Sequence, residues 1–188
     1  MLPVIFRVFL DANVLFPASI RNTLLDAHKQ RLVQVYWSQQ VLEELRRNLV
    51  LKQRKSEDDA STLVNAMCRI FPESVVSGYE AQIASMRNDE GDRHVTAAAL
   101  TAGAQVIVTN NLKHFRAKDL PPGIEAQPAD FFLQQLLDLD PETMVAILQK
   151  QVERYREPLI TFEAFLEHFS RSAPGFIRDV REYLLALN

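Results

Sequence analysis

Four polar residues stand where this chain could do chemistry: Asp11, Glu44, Asp92 and Asn111. Asp11 ends the apolar run Val8-Phe9-Leu10, and Glu44 borders an apolar stripe of Val41, Leu42, Leu45 and Leu49. Asp92 immediately precedes an Ala-rich stretch, and Asn111 follows the run Val106-Ile107-Val108 with Thr109 and Asn110 between. Carboxylates gathered in one place repel, which raises the pKa of at least one of them unless cations neutralise the charge. A divalent ion does this, and hard oxygen ligands suit Mg²⁺ or Mn²⁺. An ion held this way can activate water and polarise a phosphodiester for in-line hydrolysis.

No zinc-type Cys/His spacing, P-loop glycine pattern or serine nucleophile elbow competes with this set. The four histidines, with no Cys partner, read as ordinary residues. The single Cys68 cannot form an internal disulfide, and between Met67 and Ile70 it reads as core packing. A hydrophobic content of 47%, a charged content of 24% and 188 residues describe an ordinary globular chain with a sizeable core. No apolar run approaches the roughly 20 residues of a membrane span, and no secretory leader opens the chain, so the expected location is cytoplasmic.

The formal net charge of −3 argues against a protein that holds nucleic acid through a broad basic face. Metal ions on carboxylates can still bridge an acidic pocket to phosphate. Basic residues cluster locally at Arg46, Arg47, Lys52, Arg54 and Lys55, and again at Lys113, His114, Arg116 and Lys118. Solvated faces account for both, for the first cluster more readily than for the second.

Positioning the acids requires particular elements. Val4 to Leu10, interrupted by Arg7, reads as a strand buried on both faces, which can present a polar group only at its end. Asp11 sits there, although Asp also starts turns and caps helices. A helix through Ile20, Leu24 and Ala27 and a strand from Leu32 to Trp37 follow. Ser38 is a fair N-cap for the helix carrying Glu44, and Glu43 is turned about 100° away, so Glu44 is the better candidate to face inward. Lys52 to Asp59 reads as a charged break, Leu63, Met67 and Ile70 as another helix face, and Ser74 to Ser77 as a short strand. Asp92 is placed as N-cap or first-turn residue of a helix that Gly103 ends, whether as cap, ligand or both. Gln105 to Thr109 is a second buried strand. Two such strands releasing polar groups at their C-terminal ends converge on one rim of a parallel sheet. Pro121-Pro122-Gly123 makes a turn, Ile124 to Ala126 a short strand, and Phe131 to Leu137 a helix. Asp140-Pro141 starts another helix, Pro158 breaks it, and Thr161 and Pro174-Gly175 open two more.

The order of motifs resembles the PIN domain family, metal-dependent ribonucleases that include the toxins of VapBC-type pairs. Phe9-Leu10-Asp11-Ala12-Asn13-Val14-Leu15 carries the first motif, Val41 to Arg47 the second, Asp92 to Ala99 the third, and Val106 to Phe115 the fourth. The resemblance implies an α/β fold, a PIN-like three-layer α/β/α arrangement with a central parallel sheet, over residues 1–139. Residues 140–188 then form a helical C-terminal extension packed on it. It further implies a pocket of Asp11, Glu44 and Asp92 holding one or two Mg²⁺ or Mn²⁺ ions. Thr109 matches the family's hydroxyl near that pocket, Thr109 and Asn111 would orient water or substrate, and Asn13, Lys113, Arg116 and Lys118 would meet the RNA. The expected partners are RNA, a cognate antitoxin and a second copy of the chain, with no membrane.

At the fourth acidic position the sequence departs from the pattern, because Asn111 and His114 stand where family members carry Asp. Asp89, one turn before the third helix, is a substitute within reach, although solvation in its loop accounts for it somewhat more readily. A catalytically silent PIN-like binding module is the competing reading. A phosphatase of the haloacid dehalogenase type ranks lower, since Asn13 occupies the place of its second Asp.

Overall fold

The computed structural model describes residues 6–155 and 159–187. Val4, Ile5 and Pro158 lie outside them. The first strand, β1, spans Arg7–Leu10 and is followed by a one-turn helix, α1 (Ala12–Leu15), and by α2 (Ala18–Lys29). Next come β2 (Gln34–Ser38), α3 (Gln39–Leu51), α4 (Glu57–Ile70), β3 (Val75–Val76), α5 (Arg93–Thr101), β4 (Val106–Val108) and β5 (Glu125–Gln127). Among the described residues four helices follow: α6 (Ala129–Leu139), α7 (Pro141–Glu153), α8 (Phe162–Ser170) and α9 (Pro174–Ala186).

The strands form one parallel sheet in the order β3-β2-β1-β4-β5. The chain runs outward from β1 to β3 and then crosses back to β4. With right-handed crossovers, this reversal puts α1 to α4 on one face and α5 on the other. The reversal lies between β1 and β4, paired in the register Leu10 with Val108, so the next residue of each strand stands at the crevice where open α/β sheets take ligands. Those residues are Asp11 and Thr109.

Val8, Phe9 and Leu10 are fully buried, as are Val106, Ile107 and Val108, which is why both segments read as continuous apolar runs. Phe6 is an exception to the expected buried strand, being 42% exposed at the open end of the sheet. Ser38 caps α3 by accepting from the Val41 N–H at 3.2 Å. The expected charged break is shorter than Lys52 to Asp59. Ser56 caps α4, so Glu57, Asp58 and Asp59 occupy its first turn, where the helix dipole favours acids. Ile70 leaves the core face of α4 and is 54% exposed, while Ala60, Val64 and Met67 hold it. Cys68 is half-buried against the core. Gly103 closes α5 with φ +63°, a left-handed conformation that a side chain resists.

The last helices pack on the sheet domain through named contacts. Gln151 of α7 donates from Nε2 to Thr23 Oγ1 of α2 at 2.9 Å in a buried position, and Arg154 pairs with Asp26 at 2.8 Å. Asp130 of α6 accepts from the N–H groups of Gly175 and Phe176 at 3.0 and 2.7 Å, capping α9. Phe165, Phe169 and Phe176 meet edge-on, with centroids 5.9 and 5.6 Å apart. Among the described residues no helix is long and apolar enough to cross a membrane.

Candidate active site

Asp11 leaves β1 at the N-cap position of α1, yet its side chain makes no capping bond. Instead Oδ2 accepts from Thr109 Oγ1 at 2.7 Å and from Asn13 Nδ2 at 2.5 Å. Asn13 also donates to Thr109 Oγ1 at 3.1 Å and accepts the Asn110 N–H at 2.9 Å, and Thr109 Oγ1 accepts the Asn111 N–H at 3.1 Å. The ends of β1 and β4 are thus locked together around one buried carboxylate. Burial pushes the Asp11 carboxyl up, the Thr109 bond works against that, and the negative charges of Asp92 and Glu44 raise it further. Both acids therefore bear on Asp11, although Asp11, Glu44 and Asp92 do not all lie within 4.8 Å of one another as Asp89, Asp92 and His114 do.

Glu44 and Glu43 divide as helix periodicity requires. Glu43 bonds Arg46 along the outer face of α3, whereas Glu44 turns inward, with Oε1 3.0 Å from Nε2 of His94. His94 is 3% exposed. The contact is close enough for an ion pair but off the line of a hydrogen bond.

Asp92 stands at the N-cap position of α5 without capping it, contrary to the simplest sequence expectation. Asp89 accepts from the Gly91 N–H instead, in the 3₁₀ turn Glu90–Asp92. The Asp92 carboxylate meets His114, with Oδ2 2.6 Å from Nδ1. The same nitrogen lies 2.8 Å from the Asn111 amide and 3.7 Å from Asp89 Oδ1. One ring nitrogen makes one hydrogen bond, whereas a cation is met by several donors at once. Donor atoms of Asp89, Asp92 and His114 all fall within 4.8 Å of one another, which suits a divalent ion.

Sequence reasoning did not reach every member of this site. His94 and His114 read as ordinary residues, yet one is buried against Glu44 and the other joins Asp89 and Asp92. For His114 a signal existed, since it occupies a position where an acid is expected. Of the residues placed toward RNA, Lys113 is exposed, and Arg116 is exposed while bonding Asp119 at 2.7 Å. Lys118 is exposed as well. The Asn13 amide is engaged within the site itself.

Residues 7–113, more than half of the chain, match the family model of the PIN domain. The chain belongs to the PIN domain family. A second match, to the VapC50 C-terminal domain, covers residues 129–182 and so begins at the first residue of α6. Over 105 residues this PIN domain protein is 41% identical to a protein of Mycobacterium tuberculosis named "Putative ribonuclease VapC50". That similarity spans 55% of this chain and 62% of the relative, less than two thirds of the relative's length.

Proposed function

We propose that this PIN domain protein is a metal-dependent endoribonuclease that hydrolyses RNA phosphodiester bonds, with Asp11, Glu44 and Asp92 as the metal-holding catalytic acids. The observation that carries the reading is the buried Asp11 carboxylate, which is not used as a helix cap and lies in the field of two further acids. The name of the mycobacterial relative supports the same substrate class. Mg²⁺ or Mn²⁺ in this pocket would neutralise the acids, polarise the phosphodiester and lower the pKa of bound water.

The chain's own residues do the positioning. Thr109 and Asn13 fix the Asp11 carboxylate by both donating to Oδ2. His94 stands behind Glu44, and His114 beside Asp92 supplies a nitrogen donor in place of the missing fourth carboxylate. Asn111, its backbone held by Thr109, would orient water or substrate, and Lys113 and Arg116 would meet the phosphates outside the pocket.

The reading extends to a cytoplasmic toxin of a type II toxin–antitoxin pair, homodimeric, with a protein antitoxin as partner. It places the nuclease domain at residues 1–139 and the helical extension at residues 140–188. A structured RNA panel incubated with the purified chain in Mg²⁺, Mn²⁺ or EDTA tests the activity. Cleavage that EDTA abolishes is expected. A folded protein that binds RNA without cutting it in either metal would favour the non-catalytic module, for which the absence of a carboxylate at Asn111 and His114 speaks.

A further inference from the structure

A cleft of about 500 Å³ opens between the PIN domain and the last helices. Phe16 and Ser19 line it from the α1–α2 corner, Arg54 from the turn after α3, and Tyr155, His168 and Arg171 from the C-terminal region. Among the described residues no carboxylate lines it. Arg46, Arg116, Arg154, Arg178 and Arg181 are all engaged with acids. Arg54 and Arg171 have no such partner among the described residues. Lys52 reaches the rim, its Nζ 4.9 Å from the centre of the Phe16 ring. The basic cluster from Arg46 to Lys55 therefore divides. Arg46 is neutralised by Glu43 and Glu57, while Lys52 and Arg54 turn to the cleft.

We propose that this cleft holds the backbone of the RNA strand next to the scissile bond, with Arg54 and Arg171 on phosphates and the Tyr155 ring against a base. The proposal rests on the ribonuclease reading and adds a substrate subsite to it. A chain of net charge −3 with a buried acidic pocket repels phosphate, so cations must hold the strand close by. The one-turn helix α1 separates Asp11 from Phe16, five residues on and a rise of about 7.5 Å. An acidic protein segment would need the cations alone. Tyr155 is 41% exposed and braced against Phe165 with centroids 6.1 Å apart, which offers the flat aromatic face that unpaired bases use.

The test is fluorescence anisotropy of a labelled single-stranded RNA with the full chain in EDTA, so that binding is read without turnover. An Arg54→Ala/Arg171→Ala double variant, exposed at both sites, is expected to bind about tenfold more weakly. Its plot of log affinity against log salt flattens by about 1.4, two single-strand phosphate contacts' worth. The Arg54→Lys/Arg171→Lys double variant retains most of the affinity, and Arg47→Ala, which does not line the cleft, changes nothing. Unchanged affinity and salt slope in a folded double variant would overturn the proposal. So would loss of binding to a labelled oligoglutamate peptide with RNA binding intact, which would make the cleft an acidic protein site. Cleavage separates the two readings: metal-dependent cutting with an indifferent double variant sinks the cleft alone, and cleft-dependent binding without cutting sinks the nuclease alone.

Discussion

Thr109 Oγ1 donates to Asp11 Oδ2 at 2.7 Å across 98 residues of sequence, joining the ends of two neighbouring parallel strands. That bond opposes the burial that raises the Asp11 carboxyl, so the acid is held ready to ionise without being relaxed.

Replacing Thr109 with Val removes the donor to Asp11 and the acceptor of the Asn111 N–H together. The variant is expected to lose about 1–3 kcal/mol of stability, the cost of leaving buried polar groups unpaired. The acid limb of its cleavage profile moves to higher pH. Thermal melts and a pH–rate series read the two effects separately.

Asp11 also sets a pH dependence in the absence of metal. Its carboxyl is raised in the fold, so as pH climbs the unfolded chain ionises first and stability falls across the interval between the ordinary and the raised value. Asp11→Asn removes that penalty. The metal-free variant should therefore melt higher than the parent at neutral pH, with the gap closing below the ordinary carboxylate range. Added Mn²⁺ should reverse the order by stabilising only the parent.

His114→Ala takes the nitrogen donor from the group with Asp89 and Asp92. Mn²⁺ affinity, followed by titration calorimetry, is expected to drop about tenfold, in the range for changes next to a metal. His114→Asp should restore binding and favour Mg²⁺ more than the parent does, since imidazole suits transition metals better than Mg²⁺.

Asp130→Ala deletes both capping bonds of α9. The expected loss is about 1–2 kcal/mol, and each kcal/mol lowers the melting temperature by about 2–4 °C in a chain of this size. Cleavage per folded molecule should not change, because Asp130 touches no acid of the pocket.

Strand ends and helix periodicity made most of the site legible. Asp11 and Thr109 follow apolar runs that only a doubly covered sheet explains, and helix geometry alone separated Glu44 from Glu43. What the sequence hid are contacts that depend on packing between distant elements. His94 of α5 meets Glu44 of α3 although the two helices lie on opposite faces of the sheet, and His114 meets Asp92 because a 3₁₀ turn after β4 swings it to the start of α5. The start of α4 was misplaced because three acids look like a loop until Ser56 is recognised as their cap. Phe6 looked like core because hydrophobicity does not reveal where a sheet runs out of cover.

The most direct measurement of the central claim pairs Mn²⁺ titration calorimetry with RNA cleavage on the same preparations of the parent, Asp11→Asn, Glu44→Gln and Asp92→Asn. A single acidic centre predicts that metal binding and cleavage fall together in all three variants while each stays folded. Undiminished cleavage in Asp11→Asn would contradict it.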